Sequence, residues 1–89
     1  MLKIRATTQF KKDLKKAKTQ GQDIAVLGTV IEALQQGQAL EAKRRDHSLT
    51  GNWRDHRECH VAPDWLLIYR TTEDELRLAR VGSHSALFG

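Results

Sequence analysis

The stretch that decides the fold is His60-Val61-Ala62-Pro63-Asp64-Trp65. It gathers an imidazole, a carboxylate and an indole around the only proline of the chain. Two runs of strand character flank it, Arg54 to Val61 before and Leu66 to Thr72 after. Proline has no N–H to give to a ladder, so between two strands it marks the turn. That turn is expected to hold His60 and Asp64 close in space. Two further polar sets are expected to converge on it, Asp46-His47 upstream and Arg80 to His84 downstream.

Working outward, residues 75–82 read as another strand, with Leu76 and Leu78 alternating with Arg77 and Ala79. Glu73 and Asp74 make the tight turn before it. Upstream, residues 36–53 carry no regular period, and connections of that length in small domains are usually functional. Before them, Ile24, Leu27, Ile31 and Leu34 form an apolar helical stripe that Asp23 can cap and Gly37 can end. Gly28 sits inside that helix, where it suggests a close approach by the preceding helix. That earlier helix has Thr7 or Thr8 as its cap, Phe10, Leu14 and Ala17 on one face, lysines on the other, and Gly21 as its stop. Residues 1–6 alternate as a short strand. The order is strand, helix, helix, three strands. This is an α+β fold, an antiparallel sheet with a helical hairpin packed against it.

Eighty-nine residues are expected to make a single domain, 1–89, with one small core. No apolar run approaches the ~18 residues that a membrane span needs, and the lysine-rich N-terminus is no secretory signal. The lone Cys59 cannot form an internal disulfide, which fits a reducing cytoplasm. The formal net charge is +4, unevenly spread: residues 1–22 hold seven Lys/Arg against Asp13 alone. A small domain with localised positive charge suits a polyanion such as RNA or DNA.

Four histidines, Cys59 and Asp64 invite a metal, but His56 and His60 lie four residues apart on a strand, roughly 13 Å. Two ligands about 2.0–2.1 Å from one zinc ion cannot be that far apart, so no metal site is expected. Strand parity sends Cys59 to the face opposite His60, where it reads as a small core residue rather than a nucleophile. What remains is an acid–base set: His47, His60 and His84, with Asp64 and Arg80. Imidazole can give or take a proton near neutrality, and arginine can grip a phosphoryl group bidentately. Two imidazoles and an arginine around one phosphate suffice to cleave RNA. Trp65 and Phe88 could stack on bases, and Lys43, Arg44 and Arg45 add substrate-binding charge. Arg80 shares parity with Leu76 and Leu78. Either that face leaves the core there, or Arg80 lies in a groove.

Three ordered blocks carry a resemblance: Asp46-His-Ser-Leu-Thr-Gly-Asn-Trp53, His60-Val-Ala-Pro-Asp-Trp-Leu-Leu-Ile-Tyr69, and Leu78-Ala-Arg-Val-Gly-Ser-His-Ser-Ala-Leu-Phe88. Across roughly Asp46 to Phe88 the chain resembles the YafQ branch of the RelE-type bacterial toxins. The resemblance implies a RelE-like fold and a ribosome-dependent mRNA endonuclease, the toxin of a type II toxin–antitoxin pair. It implies an active site at His47, His60, Asp64, Trp65, Arg80, His84 and Phe88, with no cofactor. It also implies partners: a cognate antitoxin, the ribosome with message in its A site, and operator DNA only through the antitoxin complex. Two other classes stay open at this point. One is a ParE-like toxin that poisons gyrase on the same topology. The other is a non-catalytic nucleic-acid-binding module. Cleavage of RNA on translating ribosomes separates the three.

Overall fold

A computed structural model describes residues 1–89. Strand β1 (Lys3–Ala6) leads into helices α1 (Thr8–Thr19) and α2 (Ile24–Gln35). Then come a two-residue strand β2 (His47–Ser48), and β3 (Arg57–Ala62), β4 (Trp65–Thr71) and β5 (Glu75–Gly82), closed by a short helix α3 (His84–Phe88). The sheet order is β1-β5-β4-β3-β2.

The helices begin where side chains can satisfy their free N–H groups. Thr7 Oγ1 accepts the Phe10 N–H at 2.9 Å, and Asp23 accepts those of Ala25 and Val26 at 3.1 and 3.4 Å. Between the helices Gly21 takes φ +77°, a left-handed conformation that glycine adopts without strain. Phe10 and Ala17 of α1 and Leu27, Val30 and Leu34 of α2 then face the sheet. They meet Cys59, Val61, Trp65, Leu67, Tyr69, Leu76, Leu78 and Val81 in the main core. Each fully buried Val, Leu or Phe there contributes about 1.5–3 kcal/mol. The other face of the sheet carries a smaller cluster, Leu66, Ile68 and Ala79 under Leu87 of α3, with Leu49 and Trp53 packed beside it.

Several sequence expectations change. The sheet is not antiparallel throughout, because β1 runs parallel to β5. A parallel neighbour needs a long crossover, which the helical hairpin helps provide. The strand expected at Arg54 starts only at Arg57, since a 3-10 turn at Gly51–Trp53 precedes it. The irregular stretch contains β2 and a second such turn, Ala42–Arg44. Gly28 serves no close approach: nothing lies within 4 Å of where its Cβ would be. α3 has no counterpart among the expected elements.

Two features of β5 set the position of Arg80. β1 pairs only with Glu75 to Leu78, so the β5 edge beyond them needs other partners. α1 and its cap supply them. Thr7 Oγ1 donates to the Ala79 carbonyl at 2.7 Å, and Asp13 accepts the Val81 N–H at 3.2 Å. The β4–β5 register also shifts between Ile68 and Tyr69, leaving Ala79 without a partner. This bulge moves Arg80 off the Leu76/Leu78 face and sets it opposite Ile68. The odd parity of the sequence reading has its cause here.

Candidate active site

Cross-strand partners share a face, so the register shows what the sheet brings together. One row crosses the face opposite α1 and α2 as His47, Glu58, Ile68 and Arg80. The next row, about 7 Å along the strands, is His60, Leu66 and Gly82. Two residues beyond Gly82, α3 opens with His84.

Glu58 lies between two histidines. Its Oε1 stands 3.7 Å from His47 Nε2 and 3.8 Å from His60 Nε2. Its side chain is only 7% exposed, against 51% and 25% for the imidazoles. A buried carboxylate with two imidazoles in reach can orient both and pair with whichever is protonated. His47 Nδ1 meets the Arg45 carbonyl at 2.6 Å, which fixes the ring from its other side.

The second assembly is at the β3–β4 turn. Asp64 Oδ1 accepts the His84 backbone N–H at 3.0 Å, tying the turn to the start of α3. Ser83 caps that helix by accepting the Ala86 N–H at 3.2 Å. Phe88 lies one turn on, its ring centroid 5.1 Å from that of His84, and both remain exposed. Gly82 lets α3 lie this close, because a Cβ there would stand 3.2 Å from Leu87 Cδ2.

Arg80 forms the third. Its Nε donates to Asp13 Oδ2 at 3.0 Å and its Nη2 to Oδ1 at 2.9 Å. Of five guanidinium N–H donors, three remain for an anionic ligand. The hydrogen bonds to Asp13 push the Arg80 pKa upward. Burial alone would raise the Asp13 pKa, but Arg80, Gln9 and the Val81 N–H together hold it below the ordinary carboxylate value.

Several expected site residues have other roles. Trp65 is 3% exposed in the main core, so its ring cannot stack on a base. Strand parity after the β3–β4 turn turns it toward the helices. The half-buried indole on the site's face is Trp53, edge-on to His56 with centroids 5.3 Å apart. Asp46 does not join the histidines. It accepts the Tyr69 hydroxyl at 2.6 Å and Arg57 Nε at 3.1 Å, anchoring the loop that carries His47. Burial and this carboxylate push the Tyr69 pKa up. Arg44 is structural as well as basic, its Nη1 donating to the Val61 carbonyl at 2.8 Å. With Lys43, Arg45, His60, Pro63 and Val26 it lines an open groove of about 660 Å³. Cys59 is fully buried, and burial pushes its thiol up to about 12, which leaves it inert. No group of three or more His, Cys, Asp or Glu side chains converges closely enough to hold a metal ion.

The sequence reading misses Glu58 and Asp13. Glu58 shares strand parity with His60, a signal that could find it. Asp13 carries no such signal, because its partner lies 67 residues away.

Known proteins match this chain in sequence and in fold. The family model for the bacterial toxin of type II toxin–antitoxin systems, YafQ, matches residues 2–89. The mRNA interferase toxin YafQ of Escherichia coli is 40% identical over 87 residues, covering 97% of this chain and 95% of its own. YafQ in the crystal structure of the Escherichia coli DinJ-YafQ toxin–antitoxin complex superposes with a TM-score of 0.92 at 39% identity, covering 99% of this chain and 98% of that one. A copper-bound mutant toxin from Helicobacter pylori superposes with a TM-score of 0.95 at 44% identity, covering 99% of this chain and 100% of that one.

Proposed function

This chain belongs to the YafQ family of toxins from type II toxin–antitoxin systems, and on that footing we propose that it is an mRNA endoribonuclease whose nucleophile is the substrate's own 2′-OH. The observation that carries the mechanism is the pair His47 and His60 set on one buried Glu58, on the sheet face that also carries Arg80 and leads into His84.

The reaction needs a base, an acid and a place for charge. A histidine takes the proton of the 2′-OH as its oxygen attacks the adjacent phosphorus. The P–O5′ bond breaks, and a second histidine gives its proton to the leaving oxygen. The products are a 2′,3′-cyclic phosphate and a 5′-OH. His60 and His84 are the proton-transfer pair. Glu58 holds His60, and Asp64 places His84 through its backbone. His47 is a third proton carrier or a phosphate ligand. Arg80, aimed by Asp13, stabilises the charge that develops only in the transition state. Phe88 offers an exposed ring for a base, and Lys43 and Arg45 bind phosphate.

A free nuclease of this kind stops growth, so its partner is a cognate antitoxin, whose acidic segments fit the lysines of α1 and the Lys43–Arg45 cluster. The complex, rather than the toxin alone, would meet operator DNA. With few groups able to read a base, the chain depends on the ribosomal A site to orient the message. Its place of action is then the cytoplasm, and no helix is long and apolar enough to cross a membrane.

The test is a ribosome-bound message with one 2′-deoxy nucleotide on the 5′ side of the scissile bond. Cleavage should stop at that position, and His60→Ala or His84→Ala should slow cleavage of the unmodified message by roughly 10²–10⁴-fold. Cleavage at the deoxy position would overturn the mechanism.

A further inference from the structure

The same sheet face continues past the histidine and Arg80 rows to a row that the mechanism does not use. Arg5 of β1, Arg77 of β5 and Arg70 of β4 are direct register partners, side by side across three strands. Lys3 faces Glu75 one step further along β1. Arg5 and Arg77 are 71% and 49% exposed, and both turn to the single acid Glu75, at 3.4 and 3.0 Å. Arg70, half-buried, has no acidic side chain within 4 Å. Two arginines therefore share one carboxylate, and Arg70 beside them has none.

This arrangement works against the fold. Like charges directly opposite each other across a ladder are destabilising. A charged edge strand can be explained as a guard against strand pairing, and that covers Lys3 and Arg5 on β1. It does not cover Arg70 and Arg77, which face each other on the inner strands β4 and β5. Aligned guanidiniums that the fold does not need suit an anion with repeated charges. Arginine, with its planar fork, is the residue that grips phosphate in this way.

We infer that Arg5, Arg70 and Arg77 form a second RNA subsite, which holds the phosphodiester backbone of the message strand flanking the cleavage point. The inference rests on the nuclease function proposed for the histidine face. Position selects the message over ribosomal RNA. Arg70 lies on β4 four residues from Leu66, hence about 13 Å from the row containing His60, and on the same face. A strand leaving the histidines along this face reaches the arginines without crossing to the helical side. The lysines of α1 belong to the helical side of the sheet, the face opposite these arginines.

The experiment uses the full chain with Arg5→Gln, Arg70→Gln and Arg77→Gln combined, and Arg70→Gln alone in case the triple variant folds poorly. On a His60→Ala background, binding to a short single-stranded RNA is titrated against salt. Each lost phosphate contact lowers the log–log salt slope by about 0.7, so the triple variant should lose about 2 and the single variant about 0.7. Without the His60 change, KM for ribosome-bound message should rise while kcat changes little. Thermal stability should hold or increase, because repulsion is relieved. An unchanged slope and KM would overturn the subsite. So would weaker binding of the variant to ribosomes that carry no message, which would make ribosomal RNA the occupant. Wild-type cleavage of the same message is run in parallel. Its absence would instead remove the nuclease reading itself.

Discussion

On the helical side, Asp13 pairs with Arg80 and Trp65 fills the core. Asp13 sits 9% exposed beneath Arg80 and holds two of its donors. Asp13→Asn keeps the shape and removes the charge. Cleavage should slow with little change in ribosome binding, since a loosely aimed guanidinium meets the transition state less well. The same variant has a pH signature. The Asp13 pKa is lowered in the folded state from an ordinary 3.8, so its contribution to stability is complete above that value. It is lost as pH falls through the folded pKa. Urea melts of the wild type should therefore lose stability below about pH 4 more steeply than those of Asp13→Asn. Parallel curves would show that the pair contributes nothing to the fold. Trp65 belongs to the same scale. Its ring fills the core, so Trp65→Ala should cost roughly 3–5 kcal/mol of stability by denaturant titration. A fully stable variant with only weakened RNA binding would restore the stacking role.

Elements differ in how much of themselves is written locally. α1 and α2 are legible because Thr7, Asp23 and the apolar spacing each act within one or two turns. β3, β4 and β5 are legible from the Pro63 turn and alternation. β2 is not, because two residues carry no period and pair only since Asp46 is tied to Tyr69 and Arg57. α3 is five residues long, too short for a periodic signal, and its one clue is Ser83 in the capping position. The site divides in the same way. His60, Asp64 and His84 follow from the turn and strand ends. The bulge at Ala79, the pairing of Arg80 with Asp13 and the inward turn of Trp65 are set by tertiary packing, which no local pattern records. α2 also carries a correctable flaw at Gly28, exposed in mid-helix with open space where a Cβ would go. Gly28→Ala should stabilise the protein by about 0.4–1 kcal/mol, read as a higher denaturation midpoint at unchanged m. A lower midpoint would mean that the added methyl group is strained in the folded helix.

At the scale of the whole molecule, the two faces of one sheet divide the labour. The helical face holds the core, and the other presents histidines, carboxylates and arginines. The two are joined at the β5 edge, where β1 pairs in parallel and Thr7 and Asp13 complete the ladder. Synthesis of the chain must respect that junction. A nascent chain emerges N-terminus first, and domains form as units. β1 and α1 leave the exit tunnel early, but their partner strand comes last, with Arg80 and His84 on or just beyond it. Until β5 is free of the tunnel, β1 has no neighbour, Asp13 has no arginine, and the histidine face lacks its final row. A ribosome making this nuclease is thus protected from its own product until β5 has emerged. Chains arrested with β5 still sequestered should be protease-sensitive and inactive, and should gain both protection and cleavage activity on release. Activity in the arrested chain would show that the site assembles without its last strand.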